Sequence, residues 1–437
     1  MMNPIRYSNS ISNDDFETEV TVEGWVQEVR ALGGITFVIL RDRFGVVQMA
    51  LPRKKVPAEL FAAMTSVPRE SVIRVTGMVK KSEQAKKGFE IVPSHMELLS
   101  LAKSPLPMGV VDKVSVEMET RFNQRFMDLR KPEMRAVFEV KSLALRLIDE
   151  FLVEKGFVEV FTPKIVASGA EGGASLFKID YFGREAYLAQ SPQLYKQILM
   201  STGLDRVFEI SPAFRAEPSD TIRHVSEFIS FDAELAHIRS MRDVLDVLEG
   251  CVQYVIEGVS RHGTEMLEKL GAEVRIPKSP YPVLTYSDAM DMVAAEGLDL
   301  KIGDDLGTEG EKALGEIMDS KGYDVYWIVE YPEEAKPFYI MEKDGSPFSY
   351  SFDLDYKGQE IASGGQREHR YDRLVERMRK KGLDPAAFDF YLNAFAYGMP
   401  PHGGWGLGLE RMVQKMLDLQ NIRETILFPR DRNRLTP

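Results

Sequence analysis

The sequence holds a single cysteine, Cys251, and six histidines, no two of which stand in an HxxxH pair. A lone thiol excludes an internal disulfide framework and any thiolate zinc cluster. No apolar run reaches the roughly 18 residues needed to cross a bilayer. The opening stretch, MMNPIRYSNS, lacks an apolar h-region, so no secretory leader and no membrane partner are expected, and the expected setting is a reducing cytoplasm. Both GxxxxGK[ST] and GxGxxG are missing. A nucleotide, if one binds, must therefore be held by side chains rather than by a P-loop or a dinucleotide turn.

What is present is an acidic chain of 437 residues with a formal charge of −12, long enough for two or three domains. The charge is uneven. Residues 1–103 carry 14 Lys+Arg against 12 Asp+Glu, leaving 41 against 55 for the rest. The first hundred residues can meet a phosphate backbone, whereas most of the remainder repels one outside local patches.

Alternating apolar and polar residues predict strands over 20–30, 35–42 and 45–51, a short helix over 57–67, then strands over 71–82 and 88–100. Three strands, a helix and two strands is the order of an OB barrel, which commonly holds single-stranded nucleic acid. A proline-containing hinge and linker follow at 104–131. Helical spacing of Met134, Val137, Phe138, Leu145, Ile148 and Leu152 predicts a helix over about 132–155, started at Pro132 and stopped at Gly156. From there to residue 437, strands and helices mix without a βαβ repeat, which predicts an α+β domain on an antiparallel sheet. Within it, helices are predicted over about 240–261 and 308–321.

FRAEPSDTIRHVSEF (214–228) sets Arg215 and Arg223 on either side of a polar turn, and GLGLER (406–411) adds Arg411 beside glycines. Planar, permanently charged guanidinium forks suit phosphate, and the glycines are expected to let backbone approach a flat ring.

On these stretches the chain resembles the class II aminoacyl-tRNA synthetases, and among them the archaeal-type aspartyl enzymes. Residues 126–165 resemble motif 1, 214–235 motif 2 and 404–412 motif 3. RFMDLR, EGGASLF, SPQLYK, EIASGGQREHR, YGMPPHGGWGLGLER and LFPRDRNRLTP carry the likeness at family level. The resemblance implies an OB-fold anticodon-binding domain at 1–103 and a class II catalytic domain at 132–437, dimerised through motif 1, with a large insertion at about 237–345 between motifs 2 and 3, expected to be a helical accessory module.

It also implies roles. Arg215 and Arg411 become the catalytic pair, Arg215 on the α-phosphate and Arg411 stacked on adenine. Glu217 contacts the adenine amino group, Arg223 and His224 hold the outer phosphates, and Gly408 and Glu360 complete the ATP site. Asp353, Glu360 and Ser363 become ligands for magnesium, a cation that prefers hard oxygens. Lys196 and Arg367 receive the side-chain carboxylate of L-aspartate, while Glu171, Gln193, Arg215, Asp232 and Ser363 surround its α-groups. EGGAS (171–175) resembles a loop that closes on substrate. In the barrel, Phe37 stacks on an anticodon base and Gln48 and Glu90 read base edges, the usual way of reading an unstacked RNA loop. Gln27 stands where enzymes strict for tRNA(Asp) commonly carry Trp, so tRNA(Asn) is expected as a second partner; Lys86 matches the strict type instead. The alternatives are an asparaginyl enzyme, a synthetase-derived asparagine synthetase and a catalytically inactive RNA-binding paralogue.

Overall fold

The computed structural model describes residues 4–437 apart from 112–113, 168–175, 217–222 and 299. The chain divides into two compact units, Met1–Val116 and Glu117–Pro437.

The first unit is a closed barrel. Strand Glu19–Leu32 pairs antiparallel with both Ile35–Arg41 and Val72–Lys81. Val46–Pro52 meets Phe89–Ser100 through a parallel step at Met49 and Ile91, which closes the ring. Helix Ala58–Ser66 lies between the third and fourth of these strands in sequence, as predicted. Alternate residues such as Val20, Val22, Val26, Val38, Leu40 and Ile73 fill the interior, since a strand sends successive side chains to opposite faces. A buried bidentate pair, Arg41 Nη2 to Glu70 Oε2 at 2.7 Å and Nη1 to Oε1 at 3.0 Å, fixes the approach to the fourth strand. The sequence gives no sign of the extra strand Ile5–Arg6, which runs parallel to Glu19–Leu32.

The second unit is built on an eight-stranded sheet. Its order is Val283–Thr285, Val325–Val329, Ser351–Tyr356, Glu360–Gln366, His402–Gly408, Glu227–Ala236, Arg206–Phe214 and Val158–Glu159. The five inner pairings are antiparallel and the two outermost are parallel. One face is covered by helices Pro132–Glu154 and Met241–His262, whose apolar stripes pack with Phe231, Trp405 and Leu407 in the main core. Pro132 occupies the first turn and Gly156, at φ +80°, follows the last, matching the predicted stop.

The structure departs from expectation in the insertion. It is not a purely helical module. Val283–Thr285 and Val325–Val329 extend the main sheet, and Met241–His262 belongs to the main core. Only Tyr286–Ala295 and Gly307–Ser320 form a smaller core of their own, with Tyr326 and Ile328 below. After the long helix, the chain joins the edge of the main sheet with only a two-residue strand, Val158–Glu159.

Candidate active site

The antiparallel centre of the sheet carries a cavity of about 340 Å³. The turn of sequence that raised the question of nucleotide binding ends on its wall. Arg215 directly follows strand Arg206–Phe214, and its guanidinium lies over the Phe228 ring at 5.1 Å. Arg223 and His224 precede strand Glu227–Ala236. Arg411 sits in the first turn of helix Leu409–Met416, where its Nη1 donates to the Glu360 carbonyl at 3.0 Å. All four line the cavity together with Gln193, Asp232, Glu360, Ser363, Arg367 and Gly408. Ten of the residues singled out from sequence thus converge from five separate segments. Glu171 and Glu217 lie outside the described residues.

The floor is a buried charge network. Arg367 Nε and Nη2 donate to Glu234 at 2.9 and 3.2 Å, and Nη2 also reaches Gln193 Oε1 at 3.3 Å. Lys196 Nζ sits 3.0 Å from Asp232 Oδ1 and 3.5 Å from Glu234 Oε2, and donates to the Trp405 carbonyl at 2.7 Å. Two cations and two carboxylates therefore balance, each at 3% side-chain exposure or less. Burial alone would raise the Glu234 carboxyl, but Arg367 and then Lys196 outweigh it and hold the group below the usual carboxylate range. Lys196 does not line the cavity; Asp232 does, with the lysine behind it.

Below the floor, amide and imidazole set one another's orientation. Gln193 Nε2 donates to Gln197 Oε1 at 2.9 Å, and Tyr391 Oη donates to the same oxygen at 3.2 Å. That leaves Gln197 Nε2 to donate to His402 Nε2 at 3.0 Å, and His402 Nδ1 to donate to the Pro400 carbonyl at 2.8 Å. The ring is neutral in this arrangement. Burial pushes it down to about 4.

The glycines of HGGWGLG also make room inside the protein. A Cβ on Gly404 would lie 2.1 Å from the Ala233 carbonyl and 2.3 Å from Glu234 Oε2, and one on Gly406 would lie 3.2 Å from Asp232 Oδ1. These positions make room for the two carboxylates, whereas a Cβ on Gly408 would meet only ordinary contacts.

Of the three expected metal contacts, Glu360 and Ser363 face the cavity, but the Asp353 carboxylate is taken by Lys336, with Nζ at 2.9 and 3.0 Å from its two oxygens. Among the described residues no group of three His, Cys, Asp or Glu side chains forms a metal cluster. Lys336 lines the cavity and lies over Tyr331 at 3.8 Å. Sequence reasoning missed it because it sits in a proline-flanked loop with no period to mark it. Glu234 was missed too, though Asp232 and Glu234, two acids on one face of an otherwise apolar strand, were a readable signal. Glu410 is a third omission. Buried, it accepts from the Ile229 amide at 3.0 Å and from Lys141 at 2.6 Å, tying the helix that bears Arg411 to a central strand and to helix Pro132–Glu154.

In the barrel, Phe37 and Gln48 are half-buried on the outer face of neighbouring strands, where Gln48 stands opposite Ile39. Gln48 Nε2 reaches Glu90 Oε2 at 3.5 Å. Lys86 lies on an exposed loop and Gln27 at a bulge between Val26 and Glu28.

Arginine forks above a neutral-sum, ion-paired floor describe a pocket for a polyanion beside a small zwitterion. Residues 117–432 match the family of tRNA synthetases class II (D, K and N), and residues 20–99 match the OB-fold nucleic acid binding domain. The chain belongs to the class II tRNA synthetases of that group, and it is an aminoacyl-tRNA ligase. It is 51% identical to the aspartate–tRNA(Asp) ligase of Pyrococcus horikoshii over 99% of both chains. It is equally 51% identical to the aspartate–tRNA(Asp/Asn) ligase of Methanothermobacter thermautotrophicus, over 99% of this chain and 98% of that one. A solved asparaginyl-tRNA synthetase from Pyrococcus horikoshii, complexed with asparaginyl-adenylate, superposes with a TM-score of 0.93 at 32% identity, covering 100% of each chain.

Proposed function

We propose that this chain is an aspartate–tRNA ligase that activates L-aspartate with ATP and passes the aspartyl group to tRNA. The observation that carries the reading is Arg367, buried to 2% and held by Glu234 at the floor of a cavity whose walls bear Arg215, Arg223 and Arg411.

The mechanism follows from position and charge. ATP lies against the arginine wall, with adenine toward Arg411 and the outer phosphates toward Arg223 and His224. The α-carboxylate of aspartate attacks the α-phosphorus, pyrophosphate leaves, and Arg215 stabilises the charge that builds on the α-phosphate oxygens. A terminal ribose hydroxyl of tRNA then takes the aspartyl group. Asp232 accepts from the substrate's α-amino group. Arg367, with Lys196 behind, faces the side-chain carboxylate. No protein nucleophile is required, and Cys251 is sealed in the core, its thiol pushed up by burial.

The donor set fits a magnesium ion. Glu360 and Ser363 supply hard oxygens on one strand, and magnesium is usually held by one or two carboxylates plus substrate phosphates. Bound there, it would neutralise charge on the phosphates. Asp353, neutralised by Lys336, acts behind it rather than as a ligand.

Asparagine is the rival substrate, because the superposed solved structure is an asparaginyl enzyme. An amide in place of the carboxylate offers the Arg367 fork a neutral oxygen instead of a second anion beside Glu234, so the stronger charge-assisted hydrogen bonds are lost. ATP–pyrophosphate exchange tests this directly: aspartate should support exchange, with asparagine at least about a hundredfold poorer in kcat/KM. Equal exchange, or preference for asparagine, would overturn the assignment.

In the barrel, Phe37, Gln48 and Glu90 form a face suited to stacking and edge recognition of anticodon bases. Gln27 leaves room for either third base, so tRNA(Asn) is proposed alongside tRNA(Asp). The enzyme acts in the cytoplasm as a homodimer. Phe161 (76% exposed), Phe126 (55%), Ile165 (48%) and Val158 (47%), all within motif 1, leave an apolar surface for a second copy.

A further inference from the structure

The insertion meets the site through Lys336, and a second of its side chains reaches one of the cavity's arginines. Helix Gly307–Ser320 approaches the turn between strands Ser351–Tyr356 and Glu360–Gln366 so closely that a Cβ on Gly315 would lie 2.4 Å from Gly358 Cα. Gly358, at φ +68°, offers no side chain of its own there. This glycine-on-glycine seat lets the helix bring Glu311 against Arg223, which lines the cavity. Glu311 Oε2 stands 2.9 Å from Arg223 Nη1, with only 23% and 18% of the two side chains exposed.

A carboxylate and one edge of a tetrahedral phosphate each offer a guanidinium fork two anionic acceptor oxygens. We propose that Glu311 is a built-in competitor for the outer phosphates: it holds Arg223 while the site is empty, gives it up to ATP, and takes it back as pyrophosphate leaves. This rests on the reading of the cavity as the nucleotide site.

The surroundings support the competition. Burial and then the Glu360 carboxylate push the Glu311 carboxyl up to about 7, with Arg223 and Arg411 pulling the other way. The pair with Arg223 is thus what keeps an acid tolerable in an already acidic corner that also holds Asp355. A triphosphate brings more charge to the same guanidinium and displaces the carboxylate. The departure of pyrophosphate is eased in turn, because Arg223 has a waiting partner. The insertion then tunes how tightly the polyphosphate is held, and its effect is confined to the nucleotide side.

The test is steady-state ATP–pyrophosphate exchange, with pyrophosphate inhibition of aspartate-dependent adenylate formation, on the full chain carrying Glu311→Gln or Glu311→Ala. Glu316→Gln serves as the control, since Glu316 lies on the same helix with 71% of its side chain exposed and its loss changes net charge equally. The expected result is a three- to tenfold fall in both the KM for ATP and the inhibition constant of pyrophosphate in each Glu311 variant. The KM for aspartate stays within twofold, and Glu316→Gln behaves as the unmodified chain. A rise in the ATP KM would overturn the proposal and make Glu311 a positioning residue for Arg223. Unchanged constants, or an equal shift in Glu316→Gln, would overturn it as well. If the unmodified chain catalyses no ATP-dependent exchange, the nucleotide reading itself fails, an outcome separate from these.

Discussion

At the scale of single residues, the floor of the cavity holds a balance of four charges. Lys196 is matched by Asp232 at 3.0 Å and Arg367 by Glu234 at 2.9 Å. Removing one member leaves its partner charged and buried, which costs about 3–5 kcal/mol. Lys196→Leu should therefore cut aspartate-dependent exchange by more than a hundredfold, read by exchange kinetics on protein whose fold is checked by circular dichroism. Near-normal exchange would remove Lys196 from the substrate's environment. His402 gives a pH signature. Its ring titrates at about 4 in the fold against 6.5 ordinarily. Below pH 6.5 the unfolded chain takes a proton that the native chain refuses, so the stability present above that pH is lost as pH falls toward 4, by at most about 1.4 kcal/mol per pH unit. The unfolding free-energy difference between the unmodified chain and His402→Gln should shrink across that window; a constant difference would contradict the neutral, buried ring.

At the scale of elements, the glycine-rich strand His402–Gly408 does more than pair with its neighbours. It leaves space for carboxylates borne by strand Glu227–Ala236, across the register Gly404 to Glu234 and Gly406 to Asp232. Gly404→Ala forces a Cβ into backbone and carboxylate alike, so a loss of about 1–3 kcal/mol in stability is expected by denaturant unfolding, with aspartate binding weakened further as Glu234 shifts. The motifs were legible in sequence as short runs with unusual glycine, arginine and proline placement. The burial of Lys196 behind Asp232 was not, because a lysine in a short amphipathic helix reads as a surface residue until the strand beneath it is known. Lys336 was illegible for a related reason: its role depends on Asp353, 17 residues away across a loop. That Val283–Thr285 and Val325–Val329 extend the main sheet was not legible, because sheet membership is decided by pairing partners, and those lie elsewhere in the chain.

At the scale of the whole molecule, two units with separate cores answer to separate chemistries. Residues 1–103, which include the barrel, carry 14 Lys+Arg against 12 Asp+Glu, and the proposed partner of the barrel is an RNA loop. Charging of purified tRNA(Asp) and tRNA(Asn) transcripts should differ by less than about a hundredfold, and Gln27→Trp should widen the gap by lowering tRNA(Asn) charging. A larger gap in the unmodified chain would mark it as strict for tRNA(Asp). The apolar surface around Phe161 predicts a dimer in solution. Phe161→Glu should shift the mass measured by light scattering toward that of one chain and depress exchange with it.

The sequence by itself determined the barrel, through period-two alternation in five strands, and the long helix from Pro132 to its glycine stop. It also determined the arginine, glycine and carboxylate segments by which the chain joins its family. Those features are local, written in residues near one another. Only the tertiary structure decided which charges meet: Glu234 between Arg367 and Lys196, Lys336 on Asp353, and Glu311 on Arg223 across 88 residues of chain. Coulomb energy and desolvation depend on distance and burial, and neither quantity exists until separate strands and helices are brought together.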